Sequence, residues 1–347
     1  MTVHADPTEI FRLGEGFMAS KTLLSAIELE LFTHLGADGL TAEQIKGRIG
    51  LHQRAIPDFP DTLVALGMLT RDGDGTGARY RNSPAAAEFL DKSGSTYIGG
   101  VLEMCNARLY QYWGNLTEGL RTGQPQNEVK HSGRSMFEEL YSDPARLEQF
   151  MDAMTGASMG GFHALAEAFD FSRYRTMCDV GGATGLLSVI VAGRHRHMRC
   201  TTFDLPAVEP LARRTIGAAG LADRVTTVSG DFFVDALPQA DIITMGMVLH
   251  DWNLERKLRL IRVAYDALPP GGTFIAVEPL IDDARRTDAF SLLMSLNMLV
   301  EFGDAFGFTG NDFRNWCTDI GFERVEVLPL AGHASAGIAY KGLAGAA

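Results

Sequence analysis

The sequence predicts an α/β protein: a doubly wound parallel sheet in the C-terminal half, preceded by a mostly helical N-terminal part of winged-helix pattern. Three observations carry this. From about residue 174 short apolar runs alternate with amphipathic stretches, as in a chain of βαβ units. The first run enters a glycine-rich turn and the next two are followed by acids, at the edge where such a sheet binds its ligand. Before residue 100, two helical stretches lead into a hairpin turned by glycines and aspartates. With 347 residues the chain is long enough for more than one domain. The patterns divide it into residues 1–100, a helical connection over 101–170, and the sheet domain over 171–347.

In the N-terminal part, Phe17-Met18 and Leu23-Leu24 recur with Ile27, Leu31 and Phe32 at helical spacing. Thr41 with Gln44 three residues on predicts a capped helix start. A further helix is expected over roughly 55–66, stopped by Gly67. Then Met68-Leu69-Thr70 and Arg79-Tyr80-Arg81 flank Asp72-Gly73-Asp74-Gly75 as a hairpin. A winged helix can read the major groove or act as a packing module. The stretch 54–67 that would enter the groove holds one basic residue, Arg54, against Asp58 and Asp61. The formal net charge of -12 repels phosphate backbones, so a packing role is expected and no nucleic-acid partner.

Residues 101–170 read as long helices, with Leu147, Phe150, Met151 and Met154 on one face. Met154 and Met159 either line a pocket or fill core. Strands are expected at 176–180, 200–204, 225–228, 241–245 and 273–278, the last after a helix ended by Pro269-Pro270-Gly271-Gly272. Two more, at 324–327 and 336–340, close the sheet as a hairpin. Cys105, Cys178, Cys200 and Cys317 show no metal-ligand spacing and read as small apolar residues of a reduced protein. Met1 to Asp6 carries no basic n-region, and no apolar run approaches the ~18 residues that span a bilayer. A cytoplasmic protein without membrane contact is expected.

The chemistry concentrates at the strand ends. The first strand runs into Asp179-Val180-Gly181-Gly182-Ala183-Thr184-Gly185, where glycines let backbone approach a ligand closely. Asp204, ending the second strand ahead of Leu205, suits both hydroxyls of a ribose. Gly230-Asp231-Phe232 follows the third, with an acid for an adenine amino group and a ring to pack on it. Each acid alone also fits a helix cap or turn, but together, at successive strand ends, they predict a bound adenosine. His250 follows the fourth strand, suited by its ordinary pKa to take a proton near neutrality. Glu278 ends the fifth strand and would orient the imidazole. Asp251 either assists or joins Asn253 in capping the next helix. Two adjacent ligands without a clear third argue against a metal at His250-Asp251.

In order, the stretches DVGGATG, FDLP, SGDFF, MVLHDW, LPPGGTFIAVEP and SLNMLV resemble the plant-type small-molecule O-methyltransferases. That family includes caffeate and hydroxyindole O-methyltransferases and bacterial enzymes that decorate aromatic natural products. The resemblance covers nearly the whole chain. It implies a class I methyltransferase Rossmann-like sheet with an N-terminal winged-helix dimerisation domain, and an intertwined homodimer. S-adenosyl-L-methionine would be the cofactor, S-adenosyl-L-homocysteine its product, with no metal and a small aromatic, phenolic acceptor.

By the same resemblance Asp179, Gly181 and Gly182 would line the methionine end, Asp204 with Leu205 the ribose, and Gly230, Asp231 and Phe232 the adenine. Tyr141 would contact the cofactor. His250 would be the base with Glu278 beside it, and Met154, Asn297, Met298 and Glu301 would face the acceptor. Three positions depart from the family pattern. Gly307-Phe308-Thr309 stands where a second flanking glutamate is usual, which leaves Glu301 or Asp304 as substitutes. Gly246-Met247 replaces a cofactor-contacting cation, and Ser158 a tryptophan. C-methylation at the same site, and a winged-helix regulator that senses the cofactor, are the alternative readings.

Overall fold

The computed structural model describes residues 6–94, 96–130 and 136–343. The chain forms two compact units that divide between Gln111 and Tyr112.

In the N-terminal unit Thr41 caps the helix Ala42–Ile49 through a reciprocal capping box with Gln44, as the sequence predicts. The next helix spans Asp58–Ala65 rather than beginning at residue 55, because Ile56 ahead of Pro57 is extended. Strands β1 (Leu40–Thr41), β2 (Leu69–Asp72) and β3 (Arg79–Asn82) form an antiparallel sheet in the order β1-β3-β2. Ala26, Ile27, Leu31, Phe32, Ile45, Leu63 and Leu69 pack into this unit's core. Outside it, Ile10, Phe11, Leu13, Phe17 and Met18 leave an exposed apolar face on the first two helices.

Over 101–170, where long helices are expected, Pro144–Ala168 is one, started by Asp143 as N-cap and Pro144 at the first position. Residues 99–113 also run on as one helical stretch, through a π turn at Cys105–Leu109. Shorter pieces stand between. Leu116–Thr122, for example, stops at left-handed Gly123 with Pro125 shortly after.

The sheet follows the predicted strands closely: β4 (Thr176–Val180), β5 (Arg199–Asp204), β6 (Val225–Ser229), β7 (Ile242–Gly246), β8 (Thr273–Glu278), β9 (Arg324–Pro329) and β10 (Ser335–Tyr340). The order is β6-β5-β4-β7-β8-β10-β9, parallel up to β8, with β10 antiparallel to both its neighbours. Period-two alternation divides its strands between two cores. Cys178, Val180, Ile243, Met245, Phe274 and Ala276 face one, with Leu260, Ile261 and Phe313 from covering helices. Met177, Ile242, Ile275 and Val277 face the other, with Phe162, Leu165, Leu187 and Val191. The strand order reverses at β4–β7, where a doubly wound sheet opens its crevice.

Candidate active site

At the carboxyl end of β4, Asp179 is buried and its Oδ1 accepts from Thr244 Oγ1 of β7 at 2.7 Å. Burial pushes its carboxyl up to about 7. Gly181 has φ +68°, and a Cβ there would stand 2.7 Å from Val248 Cγ2. One on Gly182 would stand 2.1 Å from Thr202 Oγ1, so only glycine fits. Ala183 continues the loop at φ 49°, a left-handed conformation that costs an L-residue ~1–2 kcal/mol. Its N–H donates to Asp204 Oδ2 at 2.9 Å, and the Leu205 N–H to Oδ1 at 2.7 Å. Burial raises Asp204 to about 6 in spite of these two donors. Thr184 bonds Thr155 of the long helix at 3.0 Å, which ties the loop to the element beneath it.

Next along the edge, Gly230 passes so close to Phe203 that a Cβ would meet the ring at 2.6 Å. Asp231 turns Oδ1 back to the Phe233 N–H at 2.8 Å and so caps its own turn. Phe232 and Phe233 meet Trp252 edge-on, at 6.0 and 4.7 Å between centroids. The buried Trp252 Nε1 has no hydrogen-bond partner. Tyr141 lies within electrostatic reach of both Asp204 and Asp251, and burial, followed by those carboxylates, holds its phenol well above the ordinary range.

These features fit a cofactor that carries hydroxyl and cationic groups and an aromatic ring. Asp179 and Asp204 make no ion pair among the described residues, the glycines leave backbone bare, and an indole N–H is unsatisfied beside two rings. Among the described residues no group of three His, Cys, Asp or Glu side chains is arranged to hold a metal.

The reacting end is built on β7 and β8. Past β7, Met247 at φ 57° turns the chain, and the turn Leu249–Asp251 presents His250. Glu278, the last residue of β8, holds that turn with one oxygen: Oε1 accepts from the Val248 and Leu249 N–H groups at 3.2 and 2.8 Å. Its Oε2 lies 2.5 Å from His250 Nδ1. On the other side of the ring, Asp251 Oδ1 is 3.2 Å from Nε2. Burial disfavours the imidazolium, but Glu278 and Asp251 outweigh it and raise His250 to about 9. Burial likewise raises Asp251 to about 7 against the pull of His250. Asn253, not Asp251, caps the following helix Leu254–Ala267, by accepting from the Arg256 N–H at 3.1 Å.

The departures from the family pattern take on physical reasons here. Where the usual second glutamate is missing, Asp251 stands as the second carboxylate against the imidazole. Asp304 instead accepts from Asn253 Nδ2 at 2.7 Å. Glu301 is buried, accepts from Asn127 Nδ2 at 3.1 Å and acts on Asp251 through its charge. Gly246 carries no side chain because a Cβ would meet the Phe162 ring at 2.7 Å.

Of the residues expected at the acceptor, Asn297, Met298 and Glu301 are buried on the helix Ala289–Phe302, and Met154 is half-buried on Pro144–Ala168. Asn297 spends its Oδ1 on the Trp113 indole N–H at 2.8 Å. Sequence reasoning passed over Thr244, Thr155, Trp113, Asn127 and Lys257. The one with a legible signal was Lys257, a cation on the apolar stripe Lys257, Leu260, Ile261, Ala264.

Residues 113–323 match the model of the O-methyltransferase domain, and residues 11–92 that of the O-methyltransferase dimerisation domain. The tetracenomycin polyketide synthesis 8-O-methyltransferase TcmO of Streptomyces glaucescens is 39% identical over 335 residues, covering 96% of this chain and 97% of its own. The N,N-dimethyltransferase OxyT of Streptomyces rimosus is 35% identical, covering 93% and 94%. Human N-acetylserotonin methyltransferase, solved in complex with S-adenosylmethionine, superposes with a TM-score of 0.89 at 27% identity, over 99% of this chain and 100% of that one. The O-methyltransferase NcsB1 from neocarzinostatin biosynthesis, in complex with S-adenosylmethionine and 2-hydroxy-5-methyl naphthoic acid, superposes at 0.75 and 26% identity, over 94% and 96%. The chain belongs to the S-adenosylmethionine-dependent O-methyltransferase family, and the dimerisation domain is the family's own.

Proposed function

We propose that this family member methylates a hydroxyl group of a polycyclic or naphthoate-like aromatic acceptor, with His250 as general base. The observation that supports the reading is the contact of Glu278 Oε2 with His250 Nδ1, which directs Nε2, with Asp251 Oδ1 3.2 Å away, toward an acceptor proton. The relatives TcmO and NcsB1 support an aromatic hydroxyl of this size.

The cofactor supplies an electrophilic methyl group on a sulfonium centre. Asp204, Asp231 and Phe232 are the residues proposed to hold its adenosine, with Leu205 and Gly230 shaping the strand ends beside them. Asp179, Gly181, Gly182 and Tyr141 are proposed for its methionine end. His250 takes the acceptor's proton on Nε2 as its oxygen attacks. Glu278 fixes the tautomer through Nδ1, and both flanking carboxylates stabilise the imidazolium that forms. Asn297, Met298, Glu301 and Met154 are proposed to shape the acceptor wall and align the hydroxyl, which supplies much of the rate gain in a displacement of this kind. The N-terminal unit, with its exposed apolar helices, is proposed to bind a second copy of the chain.

The test is a screen of hydroxynaphthoic acids and hydroxylated polycyclic aromatics with labelled cofactor, read by product NMR. A methoxy carbon supports the reading. An N-methyl product, which the likeness to OxyT makes the second reading, would move the acceptor to an amine. A C-methyl product would overturn the assignment of the attacking atom.

A further inference from the structure

Lys257 is 0% exposed, on the first turn of the helix that follows the His250 turn. Lysine is almost never fully buried unless paired. Yet among the described residues no carboxylate forms an ion pair with it. Its Nζ donates to the carbonyl of Trp252, the residue that ends the His250 turn, and lies 3.6 Å from the centroid of the Phe306 ring and 5.8 Å from that of Phe308. The ammonium is thus held by one main-chain oxygen and two ring faces. Phe308 belongs to the stretch that departs from the family pattern, and Phe306 directly precedes it.

Glu278, Asp251 and Asp304 act on Lys257, Glu301 acts on Asp251, and Asp251 acts on the Tyr141 phenol. Among the described residues, His250 and Lys257 are the cations that act on Asp251. A neighbouring cation disfavours the protonated imidazole and so offsets part of the pull of the two carboxylates on its proton. We propose that Lys257 is a positioning residue for the proton transfer, a buried cation that clamps the turn carrying His250 and counterbalances the carboxylates flanking the imidazole. Burial lowers Lys257 from the ordinary lysine range, against the pull of Glu278, Asp251 and Asp304, while its charge in turn opposes that of His250.

The inference rests on the reading of His250 as the base, and the experiment separates the two. The His250 imidazole is titrated by NMR in the full-length protein saturated with S-adenosylhomocysteine, its signal assigned by loss in His250→Gln. In Lys257→Met the midpoint should rise by roughly half a unit or more, as loss of a neighbouring cation demands. Lys257→Arg should leave it near the wild-type value. If Lys257→Met does not fold, judged by S-adenosylhomocysteine binding, Lys257→Gln replaces it as a neutral side chain that still donates a hydrogen bond. An unmoved midpoint in the folded neutral variant overturns the proposal and leaves a structural clamp only. If instead the midpoint moves but His250→Gln keeps full turnover on an acceptor found in the screen, the base reading fails and the charge coupling stands.

Discussion

At the ends of β4 and β5 the buried carboxylate of Asp179 and the half-buried one of Asp204 are met by a threonine hydroxyl and two main-chain N–H groups. Past β7 and at the end of β8 the half-buried carboxylate of Asp251 and the buried one of Glu278 lie against an imidazole, with a buried ammonium close by. The first pair is raised by burial to about 7 and 6 and lacks an internal counter-charge among the described residues. The second lies against cations of the protein itself, His250 and Lys257. One end is therefore open to donors and positive charge from a ligand, while the other already meets its cations within the fold.

The largest effect that comparison predicts is at His250. His250→Ala should lower turnover by about 10²–10⁴-fold while leaving S-adenosylhomocysteine affinity within a factor of two or so, since the base acts on the acceptor alone. Single-turnover rates and calorimetry read the two quantities. Equal losses in both would erase the division between the ends.

Asp204→Ala should do the reverse. Removing a charged acceptor is worth ~1.5–3 kcal/mol, so calorimetric affinity for S-adenosylhomocysteine should fall by roughly 10- to 150-fold. Undiminished affinity in a folded variant would remove the ribose role from Asp204.

Asp251→Asn sharpens the reacting end. His250 is raised above its ordinary value, so it is charged at neutral pH, and a base works only unprotonated. The rate should therefore rise with pH through the alkaline range toward about 9. Loss of one flanking carboxylate should move that rising limb to lower pH, by about one unit. A limb moved upward, or unmoved, would exclude Asp251 as an electrostatic partner of the imidazole.

The smallest expected change is in stability. Asp179→Asn keeps an oxygen for Thr244 and removes a charge that burial disfavours, so the melting temperature should hold or rise slightly while cofactor affinity falls. A marked drop in melting temperature would assign Asp179 to the fold instead.

The strands were legible because the alternation of β-branched and apolar residues with Gly and Pro breakers is local. β4 and β8 fall where the pattern places them, and the capping box at Thr41 and Gln44 is a contact three residues long. The catalytic candidates were legible for a related reason: parallel strands put every carboxyl end on one edge, so Asp179, Asp204 and His250 converge from their positions at strand ends. The long-helix reading of 101–170 holds over 99–113 and 144–168 and breaks after Thr122, where Gly123 and Pro125 interrupt the pattern. Sequence left open whether Asp251 caps a helix or flanks the imidazole. Tertiary structure decided this, since it depends on the 3.2 Å approach of Asp251 to Nε2 and on Asn253 taking the cap. It also disclosed Lys257, whose burial depends on rings almost fifty residues later in the chain. Periodicity and motifs specify what lies next to what along one element. Charge balance inside a site is a sum over elements far apart in sequence, and only packing sets its terms.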